Sequence, residues 1–200
     1  MPDRYPMEFL SAWPALYHGV LRPHPGQAKI WEDLARHARA CFTAAPPASP
    51  VTTGGALLLG QTGRGKTALA ALLARLFDAK LHVPVRLIRC ADLRLKLRNF
   101  RARDDDTPDV PDIVEAASPA NAPLLVIDDV GVERGVPDAE EVVRALVDAR
   151  TLAPCFTAWT SNLAENDLFA YLGGERMDSR MAFLEVFVLD SQPDYRRSRP

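Results

Sequence analysis

The run GQTGRGKT, Gly60 to Thr67, matches the spacing G-x-x-x-x-G-K-[ST] at Gly60, Gly65, Lys66 and Thr67. Each required residue type has a task in holding a triphosphate. Glycines let the backbone curl so that its N–H groups point inward at the start of a helix, where the helix dipole also favours an anion. Gly63 and Ala68 complete that cradle. Lys66 neutralises the β and γ phosphates, and Thr67 offers its hydroxyl to magnesium, a small hard cation that keeps several waters and takes few protein ligands. ATP and Mg2+ are therefore the expected cofactors.

A second group of chemical residues closes the run LLVIDD, Leu124 to Asp129. If this strand lies beside the glycine loop, its carboxylates reach the metal and the γ phosphate. Asp128 is then assigned to magnesium through water, and Asp129 to orienting or deprotonating the attacking water. A third group is basic. Arg89, Arg94, Lys96, Arg98, Arg101 and Arg103 cluster within one stretch, where phosphate binding is a natural use. Phe100 alone is near enough to stack on a base, which favours tracking a nucleic-acid backbone over reading its sequence. The same stretch also reads as a solvated helix face balanced by Asp104 to Asp106. His18, His24, His37 and His82 have no ligand spacing among themselves, and no nucleophile triad is legible.

These residues need a scaffold, and the periodicity supplies one. From Gln27 to Phe42 the positions Trp31, Leu34, Ala35, Ala38 and Phe42 share one helical face. TAAPPASPVTTGG, Thr43 to Gly55, concentrates chain breakers and reads as a linker. ALLLG is a short, continuously apolar strand ending at Gly60, and KTALAALLARLF places Leu69, Leu72, Leu73, Leu76 and Phe77 on one face of a helix. PVRLIRC is a second strand with the basic helix ADLRLKLRNF after it, LLVIDD a third, CFTAWTSN a fourth and EVFVL a fifth. Between the third and fourth, Asp138 opens a helix with Glu141 as its capping-box partner and Val142, Val143, Leu146 and Val147 facing inward. Strands alternating with helices predict a parallel α/β sheet whose ligands sit at the carboxyl ends of the strands.

The bulk numbers agree. A chain of 200 residues, 48% hydrophobic, suits one ordinary core. Its division is read as an irregular arm over 1–25, a core domain over 26–192 and a tail over 193–200. The net charge of -2 excludes binding to nucleic acid by bulk charge, so any basic face must be local. Cys41, Cys90 and Cys155 stand far apart with no C-x-x-C pair, which fits small core residues in a reducing compartment. With no apolar window near the roughly 20 residues needed to span a bilayer, a cytoplasmic protein without membrane contact is expected.

At this point the chain resembles the AAA+ ATPases, and among them the DnaC-type helicase loaders and IstB-like transposition helpers, from about Gln27 to Arg197. GQTGRGKT and LLVIDDVG look like the Walker A and B elements of that clade, where aspartate often takes the place of glutamate at the position of Asp129. Gln61 and Arg64 replace the small or proline residues commonly seen in the loop. The resemblance implies a five-stranded parallel sheet of order 5-1-4-3-2 with the helical lid absent or minimal. It assigns Asn162, in the run TSN, as the sensor that contacts the γ phosphate or its water. GERMDSRM is similar to the segment that supplies an arginine finger to a neighbouring subunit, implying Arg180, with Arg176 second. PDYRR resembles the loader carboxyl terminus, implying Arg196 near the nucleotide. It further implies single-stranded DNA at Arg94, Lys96, Arg98 and Arg101, a replicative helicase as protein partner, and homo-oligomers that form with ATP. A transposase as partner, or an ATP-binding switch that does not hydrolyse, are the alternative readings. Loaders usually carry an amino-terminal domain that grips the helicase, so a short apolar arm would have to take that task here.

Overall fold

The computed structural model describes residues 22–43, 54–78, 85–103, 110–151, 153–174 and 184–190, with the backbone alone for 42–43 and 99–103. A 3-10 turn, Pro25–Gln27, leads into α1 (Ala28–Thr43). Then follow β1 (Gly54–Leu59), α2 (Lys66–Leu76), β2 (Val85–Arg89), α3 (Cys90–Arg103), α4 (Val110–Ala116), β3 (Leu124–Val130), α5 (Pro137–Thr151), β4 (Phe156–Ser161), α6 (Glu165–Leu172) and β5 (Leu184–Val188). The strands form one sheet in the order β2-β3-β4-β1-β5, every pair parallel, which is the expected 5-1-4-3-2 read from the other edge.

Both faces of this sheet are covered, as parallel sheets require. Leu57 and Leu59 of β1 enter one apolar cluster with Ile88, Leu125, Ile127 and Trp159, packed by α3, α4, α5 and α6. Ala56 and Leu58 enter the other with Leu87, Leu124, Val126 and Ala158, packed by α1 and α2. Successive residues alternate between the clusters because strand side chains have a period of two. Burial of each such leucine or isoleucine contributes about 1.5–3 kcal/mol. On α1, Leu34, Ala35 and Ala38 are buried, while Trp31 packs at the cluster's margin.

The structure corrects several expectations. Gly54 and Gly55 belong to β1 and not to the preceding linker. Glycine is required there by proximity: a Cβ on Gly54 would sit 2.6 Å from Cys41 Sγ, and one on Gly55 would run into Leu184 and the Thr157 carbonyl. The helix expected to open at Asp138 begins at Pro137, a favoured first position. Glu140, not Glu141, is the carboxylate that reaches back across its start, accepting from the Gly135 N–H at 2.8 Å. Helices α4 and α6 add to the predicted set.

One charged side chain holds the sheet from below. Arg150, at the end of α5, is 2% exposed and donates to Thr157 Oγ1 (2.8 Å), the Ala117 carbonyl (2.7 Å) and the Phe156 carbonyl (3.2 Å). Burial lowers its pKa to about 10. No described helix is long and apolar enough to cross a membrane.

Candidate functional site

The site forms where β1, β3 and β4 end together. Chain direction at the glycine loop is set by three positive backbone angles, Gly60 (φ 145°), Gly63 (φ 87°) and Gly65 (φ 81°), a region closed to most side chains. Gly65 is the N-cap of α2, and no side chain caps that helix. Behind the loop, Gln27 is 2% exposed and its amide donates to the Arg64 carbonyl at 2.8 Å. A Cβ on Gly65 would strike that amide, so the 3-10 turn ahead of α1 backs the loop directly.

Lys66 turns back over the loop and is 5% exposed. Its ammonium donates to the Gly60 carbonyl (2.6 Å), the Gln61 carbonyl (3.0 Å) and Asn162 Oδ1 (2.6 Å). The Asn162 amide in turn donates to Asp129 Oδ1 at 3.1 Å, and the Thr62 hydroxyl donates to Asn162 Oδ1 at 3.4 Å. Asn162 therefore ties the lysine of the loop to the second aspartate of β3.

The two aspartates owe their placement to a β-bulge. Ile127 pairs with Trp159, and the next partners are Val130 and Ser161, so β3 spends one residue more than β4 over this step. Asp129 takes that extra residue in the left-handed region (φ 60°), which aspartate tolerates better than most residues. Strict alternation would send neighbouring side chains to opposite faces. Here the hydroxyl of Thr160, fully buried, serves both: it accepts from the Asp129 N–H (2.9 Å) and donates to Asp128 Oδ1 (2.7 Å). Thr67 donates to the same Asp128 oxygen at 2.9 Å.

Asp128 is 4% exposed. Burial pushes its pKa up, the Asp129 charge adds to this, and the Thr160 and Thr67 hydroxyls together with Arg89 oppose it. A nearby cation would reverse the balance. The Thr67 hydroxyl and Asp128 carboxylate form a pair of hard oxygen donors of the kind magnesium takes. Among the described residues no cluster of three or more His, Cys, Asp or Glu is gathered. The pair thus suits a cation that completes its shell with water and phosphate oxygens.

Of the residues expected at this site, Gly60, Gly63, Gly65, Lys66, Thr67, Asp128, Asp129 and Asn162 come together, and Ala68 lies in the first turn of α2. Arg94, Lys96 and Arg98 lie away on α3, with Arg94 and Arg98 exposed and the Arg94 guanidinium donating to the Val132 carbonyl at 2.9 Å. The side chain of Arg101, and Arg176, Arg180 and Arg196 entirely, lie outside the described residues, as do 1–21 of the arm and the 193–200 tail. Thr160 and Gln27 were not singled out from the sequence. Only the polar run after an apolar strand, TSN, hints at the first.

A parallel sheet of this order with a glycine loop after β1 and paired aspartates near the end of β3 has the arrangement of the AAA+ P-loop fold. No protein-family model and no curated protein sequence matches the chain. Among solved structures, the DnaC helicase loader is similar at 22% identity and a TM-score of 0.65, covering 88% of this chain and 100% of that one. DnaI is similar at 20% identity and a TM-score of 0.62, over 86% and 93%. The replication initiator DnaA bound to AMPPCP and single-stranded DNA is similar at 13% identity and a TM-score of 0.57, over 98% of this chain but 52% of that one. The chain shares the fold of these DnaC-type and DnaA-type AAA+ structures.

Proposed function

We propose that this chain binds ATP and Mg2+ at the Gly60–Thr67 loop and works as a replication-related AAA+ ATPase that engages single-stranded DNA and loads or remodels a replicative helicase. The observation that carries the nucleotide reading is the continuous contact path Lys66–Asn162–Asp129 beside Thr67–Asp128–Thr160. The loop, the paired acids and the sensor-like amide are held together by their own hydrogen bonds, so the groups a triphosphate needs are positioned in advance. The DNA and helicase part rests on likeness to structures described as a helicase loader and as an initiator bound to single-stranded DNA, and on exposed Arg94 and Arg98 of α3.

In this reading Lys66 exchanges its loop-carbonyl and Asn162 contacts for the β and γ phosphate oxygens. Thr67 and Asp128 would hold Mg2+, which when bound supplies positive charge to the phosphates. Asp129, steadied by Asn162, orients the attacking water and receives its proton. Arg180 of a second copy completes the site and makes assembly a condition of turnover, a guanidinium so placed being worth about three to five decades in rate. Residues 26–192 form the ATPase domain.

Affinity capture of the tagged chain from host lysate with ATP and Mg2+, with Lys66→Ala as control, tests the partner. Nucleotide-dependent recovery of the replicative helicase supports loading. Recovery of a transposase in its place overturns it.

A further inference from the structure

Glu133 follows the Asp129 bulge by four residues, is fully buried, and makes no ion pair among the described residues. Burying a carboxylate without a cation is costly, so its hydrogen-bond partners must offset that cost. There are two. Oε2 accepts from the Gly131 N–H at 2.8 Å, and Oε1 accepts from the Tyr171 hydroxyl at 2.7 Å. Gly131 and Glu133 belong to the turn that leaves β3, closed by the Val132 N–H on the Asp129 carbonyl at 3.2 Å. Tyr171 belongs to α6, which begins three residues after Asn162.

The carboxylate therefore clasps the turn carrying Asp129 to the segment carrying Asn162, the two side chains that meet at 3.1 Å in the site. The same two segments also touch through apolar packing. Gly131 sits at φ 101°, and a Cβ there would lie 2.8 Å from Leu163 Cδ1, so the turn is pressed on the residue next to Asn162. Outside, the guanidinium carbons of Arg134 and Arg144 lie 4.5 and 5.7 Å from the centre of the Tyr171 ring, and Arg144 pairs with Glu140 at 3.0 Å. These contacts hold the ring in place, so the hydroxyl reaches Glu133 from a fixed position.

We infer that Glu133 and Tyr171 are positioning residues: their hydrogen bond, relayed through the Gly131 amide, sets the Asp129 turn against Asn162 and so fixes the acid that orients water. Neither touches the nucleotide loop. Cutting the clamp should leave nucleotide affinity in place and lower turnover. The inference rests on the ATPase reading, and its test is built to separate the two.

Tyr171→Phe removes one hydroxyl and keeps the ring. It should bind ATP with Mg2+ within about twofold of wild type and lose about tenfold in kcat, the size expected for one hydrogen bond to a charged group. Glu133→Gln can still accept from Gly131 and donate to the Tyr171 oxygen, so it should retain more turnover than Glu133→Ala. Amide hydrogen exchange of Gly131 and Asp129, read by NMR without nucleotide, should accelerate about tenfold or more in Tyr171→Phe and Glu133→Ala. Normal kcat in Tyr171→Phe overturns the inference, as does an equal loss of affinity, kcat and melting temperature in every variant. Should wild type bind ATP and never turn it over, the ATPase reading falls, and the exchange experiment alone decides the clamp: an Asp129 amide unmoved by cutting it overturns the inference.

Discussion

Replacing Asp128 by asparagine should make the ligand-free protein more stable and the nucleotide site useless. Burial raises the pKa of this carboxyl. For an acid raised by folding, the stability it contributes is complete below its unfolded value and lost as pH rises through its native value. At neutral pH the ionised, 4% exposed carboxylate is therefore a net cost. Asparagine copies the neutral form, and its Oδ1 keeps both hydroxyl partners, Thr67 and Thr160, which share one oxygen of Asp128. Each of those bonds weakens by about 1 kcal/mol when the acceptor loses its charge. Relief of a desolvation penalty of several kcal/mol exceeds this. A net gain of about 1–2 kcal/mol raises Tm by roughly 2–8 °C for a domain of this size. Thermal melts from pH 4 to 8, with and without ATP and Mg2+, read the effect. The gap between the two melting curves should narrow as pH falls, because burial favours the protonated form of Asp128. Wild type should gain about 2.7 kcal/mol from a ligand at one hundred times its Kd, a gain the variant lacks with Mg2+. A variant that melts lower than wild type at neutral pH, or one that still responds fully to ATP and Mg2+, refutes this reasoning.

Other substitutions probe other layers. Arg150→Ala leaves three acceptors without their donor and opens a cavity below the sheet, so unfolding free energy should fall by about 3–5 kcal/mol in a denaturant titration. A base depressed to about 10 is already fully charged at neutral pH, so this residue adds no pH dependence of stability below about pH 9, which Tm measured from pH 6 to 8.5 checks. Gly65→Ala should cost about 1–3 kcal/mol and weaken nucleotide binding, because φ is 81° and the new methyl meets the Gln27 amide; fluorescent-nucleotide titration reads the second effect. Arg180→Ala should bind ATP as wild type does yet lose about three decades or more of turnover in a phosphate-release assay.

How much of this was written in the sequence depends on the length scale of the signal. The glycine loop is contiguous and carries its own context, so Gly60, Lys66 and Thr67 were legible, as were five apolar strands. Asp128 and Asp129 were legible as residues but not as a geometry, because a bulge is a property of two strands in register and nothing within LLVIDD marks it. Thr160 acts on both acids across the sheet, and Asn162, two residues on, is the residue that resemblance points to. Glu133 was hidden for a similar reason: a charged residue in a turn reads as solvent-facing until Tyr171 of α6 is seen to cover it. The paired glycines at 54 and 55 carried a turn signal that close packing by Leu184 and Thr157 overrode. The short helices α4 and α6 were missed because Pro111 and the polar start of ENDLFAYL mask their periodicity.

Isothermal titration of ATP with Mg2+ into wild type and Lys66→Ala addresses the central claim most directly. The Lys66 ammonium rests on three oxygens of its own loop and of Asn162, so its removal also leaves those acceptors without this donor and should lower Tm. Losing its contacts with phosphate should cost about 3 kcal/mol, a Kd on the order of one hundred times higher, read at a temperature where a melt shows both proteins folded. Equal affinity in the two proteins, or no binding by wild type, would contradict a nucleotide site at Gly60–Thr67.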